Sequence, residues 1–214
     1  MRGRGKRGFI VLMGIGAGAA LLLGAWLYVS TPSIRTVTHY EPNVPLRIFT
    51  AEGQLIGQFG PEYRLPRPME TIPRELRRAF LAAEDAAFYD HPGIDAGGIL
   101  RALWVDIRAG AFVQGASTIT QQVARTFLLS RERTLSRKLR EAFLAFEIEA
   151  ALSKKAILHR YLNQIYLGSG AYGVAAAARI YYGKSLEELT LAEAATLAGL
   201  PKAPARFNPI RHPE

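Results

Sequence analysis

The chain contains no cysteine. No disulfide therefore staples the fold, and no thiolate is available as nucleophile or soft metal ligand. Histidine is scarce, with four in 214 residues. None falls in an HxxxH spacing, which argues against zinc. GxSxG is missing, and so are SxxK, KTG and SDN, so serine acylation of that kind is excluded from this chain. YYGKS at 181–185 resembles the end of a P-loop, but Ala178 stands where the first glycine of that loop belongs. There is no internal repeat, and no low-complexity segment outside one apolar run near the N-terminus.

That run, FIVLMGIGAGAALLLGAWLYV (residues 9–29), carries no charge and is long enough to cross a bilayer, which takes ~20 apolar residues. It follows MRGRGKRG, where Arg2, Arg4, Lys6 and Arg7 stand without an acid. Basic flanks stay cytoplasmic, so the remainder of the chain is expected outside. A cleaved signal peptide would have an apolar core of ~7–15 residues ending in a small-x-small site. Trp26, Leu27 and Tyr28 occupy that place instead, and Trp26 and Tyr28 suit a membrane interface. The expectation is an uncleaved anchor behind a cytoplasmic tail, residues 1–8. The formal net charge of +9 suits anionic headgroups or phosphate ligands, and equally plain solubility.

Residues 30–66 read as a linker leaving the membrane. Within it RIFTAEGQLIGQF (47–59) has the pattern of two short strands joined at Glu52-Gly53. From 67 to 214 the pattern is helical. Leu76, Phe80 and Glu84 fall on one stripe of a helix opened by Pro73. Leu135, Leu139, Phe143, Phe146 and Ala150 repeat at helical spacing, as do Ile157, Tyr161 and Ile165 behind a Ser153 cap. Ser185 with Glu188 and Thr190 with Glu193 read as capping boxes, each marking a helix start.

Four stretches carry possible chemistry. Glu84 lies at the edge of an apolar face, where desolvation would raise its pKa into the range of a general base; as a lone acid it equally fits a solvated helix end. His91 and Asp95 follow in a turn shaped by Pro92 and Gly93, as supports that hydrogen-bond the loop or Asp85. Glu141 shares a helix face with Arg137 and Lys138, either as a surface ion-pair cluster or as a carboxylate among cations that bind an anionic leaving group. In QGASTITQQVARTF (114–127), Ser117, Thr118, Thr120, Gln121 and Gln122 precede Arg125. Such hydroxyls, amides and charge can bind sugar or phosphate oxygens, whereas an N-cap at Ser117 or Thr118 accounts for only the first of them.

In order, EDAAFYDHPGID, GASTITQQ, RKLREAFLAFEIE, ILHRYLNQIYLGSGAYG and LTLAEAATLAGLPKAPARFNP resemble the five motifs of the peptidoglycan glycosyltransferases, the transglycosylase domain of class A penicillin-binding proteins (glycosyltransferase family 51). The resemblance covers roughly residues 44–214. It implies a mainly α-helical, lysozyme-like fold with a small membrane-proximal lobe, preceded by one transmembrane helix and a short β-hairpin. It implies lipid II as substrate, polymerised into β-1,4-linked glycan with release of undecaprenyl diphosphate and inversion at the anomeric carbon.

By that resemblance Glu84 is the base on the acceptor's 4-hydroxyl. Glu141 assists departure of the diphosphate, directly or through a divalent cation, magnesium or manganese. Ser117, Thr118, Gln122, Arg125, Arg137 and Lys138 bind substrate, and Asp85, Phe88, His91, Gly93 and Asp95 complete the first motif. The family commonly has lysine at the position of Arg125. The implied partners are lipid II, the growing glycan strand, the bilayer and other cell-wall synthesis proteins, with no nucleic acid. The implied location is the outer face of a bacterial inner membrane. The hairpin resembles that of bifunctional members, so a longer protein with a following transpeptidase domain is expected. A lysozyme-like lytic enzyme and an inactive membrane-anchored scaffold are the competing readings.

Overall fold

The computed structural model describes residues 3–38, 46–60, 62–111, 115–127 and 134–211. Arg2, residues 39–45 of the linker, Gln114 and residues 212–214 lie outside the described residues. The chain is mainly helical. Helix α1, Gly3–Ser30, contains a window, Met13–Ser30, with mean hydropathy 1.6 and none of it buried. It is long and apolar enough to cross a membrane.

The segment read as a linker is not wholly extended. A short helix, α2 (Ile34–Thr38), rests against two later helices, buries Val37 completely, and receives the Arg160 guanidinium on the Thr38 carbonyl at 3.1 Å. Strands β1 (Leu46–Phe49) and β2 (Leu55–Phe59) pair antiparallel with Leu46 opposite Phe59. The glycine of the Glu52-Gly53 turn has φ of 83°, a conformation that favours glycine.

Past β3 (Tyr63–Arg64) the helical body begins. Helix α3, Arg74–Glu84, opens after Pro73 and buries Leu76 and Phe80. It is followed by α4 (Ala96–Ala109), α5 (Ile119–Phe127), α6 (Leu135–Ala151) and α7 (Lys154–Gln164). After β4 (Ala171–Tyr172), parallel to β3, come α8 (Val174–Tyr182) and α9 (Leu191–Gly199). A 3-10 turn, Leu200–Lys202, continues α9. In the core α3 packs on α9, and α5 packs on both α6 and α7. Helix α8 is buried on every side from Val174 to Ala178. A run of small apolar residues permits that, because neighbours can approach all round. Phe80, fully buried at the centre, would cost about 3–5 kcal/mol if cut to alanine.

Helix α6 forms where the helical spacing placed it. Leu135, Leu139, Phe146 and Ala150 are exposed, and the helix buries Glu141, Leu144, Ala145 and Ile148. Apolar residues occupy both sides of this helix, and Glu141 can turn inward because cations meet it there. The Thr190–Glu193 capping box is present at the start of α9. Glu188 also accepts from the Ser185 amide at 2.7 Å, yet only a turn follows. The next helix starts at Leu191, which leaves no room for another.

Candidate active site

Helix α3 ends at Glu84, and Asp85 is its C-cap. Glu84 is half-buried, and Gln122 of α5 donates from Nε2 to its Oε2 at 2.7 Å. Asp85 turns inward. Its carboxylate accepts from His91 Nε2 at 2.9 and 3.1 Å and from the Ile119 amide at 2.9 Å. A carboxylate on the first amide of α5 sits where the helix dipole favours negative charge. His91 Nδ1 accepts from the Gly93 amide, so Nε2 carries the hydrogen that Asp85 accepts.

The loop from Asp85 to Asp95 is clamped from below. Thr118 donates to the Gly93 carbonyl at 2.6 Å, and it exchanges bonds with Gln121: amide 118 to Oε1, amide 121 to Oγ1. That reciprocity is a capping box at the head of α5. Glu149 of α6 accepts from Thr120 at 2.5 Å and from Lys154 at 2.7 Å, while Lys154 also donates to the His91 carbonyl. The same ammonium lies 4.5 Å from the centroid of the buried Phe88 ring. Gly93 has φ of 97°, and a Cβ there would stand 3.0 Å from Glu149 Cγ. Asp95 caps α4 by accepting from the Gly98 amide at 2.8 Å.

Glu141 is wholly buried beneath three cations. Arg125 donates to both of its oxygens, Nε at 3.2 Å and Nη2 at 3.3 Å, and Lys138 donates at 2.6 Å. Arg137 lies 3.9 Å away. Ser117 Oγ accepts from Lys138 at 3.0 Å and from Arg125 at 3.5 Å. Three cations around one carboxylate leave an excess of positive charge, and Arg125 and Lys138 are each 45% exposed.

The two glutamates thus differ in their electrostatics. Burial raises the pKa of Glu84, and the charge of Asp85 adds to it; the Gln122 hydrogen bond and the charges of Arg125 and Lys202 oppose the rise. At Glu141 burial also pushes upward, but the hydrogen bonds and charges of Arg125 and Lys138 outweigh it and hold the carboxyl low. A half-buried carboxyl of raised pKa suits proton uptake, and a cationic cluster suits an anion. Gln122 and Arg125, three positions apart on α5, bring the two together on one helix face. A cavity of about 170 Å³ opens beside Glu84, lined also by Asp95, Arg101 and Ser117.

Of the residues expected to form the site, Glu84, Gln122, Arg125, Ser117, Arg137, Lys138 and Glu141 are joined by this network. Thr118, Asp85, Phe88 and His91 are buried and shape the loop from within, as do Gly93 and Asp95. Lys202, whose charge reaches Glu84, was missed; its signal was PKAP in the fifth motif. Glu149 and Lys154 were also missed, and no local pattern marks them because their partners are distant in sequence. Glu141 does not fit as ligand of a divalent cation in this arrangement. Both oxygens already accept from cationic donors, and among the described residues no three acids or histidines converge.

The family model described as Transglycosylase matches residues 52–214. Penicillin-binding protein 1A of Neisseria flavescens is 49% identical over 205 residues, which is 96% of this chain and 25% of that protein. Penicillin-binding protein 1A of Escherichia coli (strain K12) is 50% identical over 196 residues, 92% of this chain and 23% of that protein. The chain therefore spans about a quarter of the length of these curated relatives. The crystal structure of penicillin-binding protein 1A from Haemophilus influenzae aligns with a TM-score of 0.37 at 32% identity, covering 80% of this chain and 16% of that one. With the match running from residue 52 to residue 214, across every element of the site described above, the chain belongs to the transglycosylase family.

Proposed function

We propose that this domain polymerises lipid II into β-1,4-linked glycan at the outer face of a bacterial inner membrane, with the growing strand and the bilayer as its partners. Membership in the transglycosylase family supports the reaction class. The observation that carries the reading at residue level is the pairing of Glu84 and Glu141 with Gln122 and Arg125 on one face of α5.

Glu84 takes the proton from the acceptor's 4-hydroxyl. That oxygen bonds to C1 of the donor, the C1–O bond to the diphosphate breaks, and the anomeric centre inverts. Arg125, Arg137 and Lys138 receive the charge growing on the leaving diphosphate, a stabilisation set up before the reaction begins. Glu141, buried beneath them, supports departure by holding those cations in place. A lytic enzyme would have no use for such a cluster, because a glycan leaving group is uncharged.

The fold is read as lysozyme-like. Residues 1–8 form the cytoplasmic tail, 9–29 the anchor, 30–66 the connection and 67–214 the catalytic unit. The small lobe dips into the membrane, and α4 supports that reading. Leu100, Leu103, Trp104 and Ile107 share one face of it and are each more than half exposed. Other cell-wall synthesis proteins, including a transpeptidase module in a longer chain, are the expected company.

The test is polymerisation of fluorescent lipid II by the detergent-solubilised protein. Polymer from the wild type, with Glu84→Gln reduced by ~10²–10⁴-fold as expected for loss of a general base, supports the assignment. Equal polymer from both would move the base elsewhere.

A further inference from the structure

Beneath the candidate base lies a hydroxyl that the reaction above does not use. Tyr161 of α7 is only 2% exposed. Its ring meets Phe80 edge to face, with centroids 6.1 Å apart. Phe80 stands four residues before Glu84 on α3, on the same face of that helix. The stack therefore places the tyrosine under the carboxyl end of α3. Tyr161 Oη has no hydrogen-bond partner among the described residues. A buried hydroxyl left unpaired is costly, and phenylalanine would fill the same space without that cost.

Burial raises the phenol's pKa well above its ordinary value, and the charges of Glu84 and Asp85 add to the rise. The group therefore stays a neutral donor beside two acceptors. Asp85 is already engaged by His91 and by the Ile119 amide. Glu84 Oε2 accepts from Gln122, which among the described residues leaves Oε1 as the open acceptor of the pair.

We propose that Tyr161 is a positioning residue, whose buried hydroxyl donates to the Glu84 carboxylate in the reacting state and fixes the orientation of the base. The inference rests on the reading of Glu84 as that base. The other groups whose charges act on Glu84 are Asp85 beside it, Arg125 from α5 and Lys202 from the 3-10 turn. A donor on the buried side favours the ionised carboxylate and so offsets part of its desolvation. The phenol keeps its own proton throughout; only the 4-hydroxyl proton moves, to Glu84.

The experiment is the pH profile of lipid II polymerisation by the full chain, comparing wild type, Tyr161→Phe and Glu84→Gln, with a thermal melt of each. Tyr161→Phe is expected to lower kcat by roughly tenfold, the scale of one hydrogen bond to a charged group, with KM little changed. Its acid limb in kcat should move upward by about one pH unit, so the defect deepens at low pH, while the limb in kcat/KM, set by the free enzyme, stays in place. Its melting temperature should equal or exceed that of wild type, since the hydroxyl is unpaired in the resting fold. A uniform loss at every pH, an unchanged profile, or a lower melting temperature would each overturn the proposal. Full activity in Glu84→Gln would overturn the underlying reading of the base as well. An inactive Glu84→Gln beside a wild-type-like Tyr161→Phe would sink the tyrosine inference alone.

Discussion

Burial first, and then the charge of Asp85, raise the carboxyl of Glu84 in the folded protein, and this has a consequence for stability. A carboxyl whose folded pKa is raised stabilises at low pH, and that contribution is lost as pH rises through the folded value. At neutral pH an ionised Glu84 is a net cost to the fold. Glu84→Gln should therefore melt at a higher temperature than wild type at pH 7, and the difference should close below the ordinary carboxylate range. Glu141 has the opposite sign. Arg125 and Lys138 outweigh its burial and lower its pKa, so its contribution is present above the ordinary value and is lost as pH falls through the folded one. Glu141→Gln should lower stability at pH 7 by about 2 kcal/mol, read by urea denaturation. That is below the ~3–5 kcal/mol for breaking a wholly buried pair, because Arg125 and Lys138 are 45% exposed. The two isosteric substitutions thus separate: the first removes activity without weakening the fold, and the second weakens the fold too.

Among the elements, the loop between α3 and α4 decides where Glu84 stands. Its pivot is Gly93, at φ 97° and against Glu149 and the Ala145 carbonyl. Gly93→Ala should cost about 1–3 kcal/mol through the strained backbone, and polymerisation should fall with it. A melt and a rate measured on the same sample check this. Legibility in the sequence follows the range of the interactions. The stripe of Leu76, Phe80 and Glu84 is local, and it correctly put the glutamate at the rim of an apolar face. The inward face of α6 was not legible, because its key residue is a glutamate whose burial depends on Arg125, sixteen positions earlier. Leu139 and Phe146 look like core in a one-dimensional reading, yet they are the outer face. The clamp of Thr120, Glu149 and Lys154 on the first-motif loop likewise joins residues that no spacing rule connects.

For the whole molecule, α1 and the apolar face of α4 are the exposed apolar surfaces on which the proposed contact with a bilayer rests. The chain has two tryptophans, Trp26 in α1 and Trp104 on that exposed face. With Trp26→Phe, Trp104 becomes the sole indole reporter. In vesicles containing brominated lipid its emission should be strongly quenched, and quenching no greater than that of an aqueous indole would remove α4 from the membrane reading. The cationic cluster has a further consequence once a diphosphate is considered as something that must also depart. Glu141 is an internal rival for Arg125, Arg137 and Lys138, permanently in place and unable to diffuse away. On the proposed reaction an incoming diphosphate would share these cations with it, so the grip on the spent lipid would stay loose enough to break between additions. Phosphate-mimicking inhibitors would meet the same competitor, and a gain in their affinity would have to come from contacts beyond those three side chains.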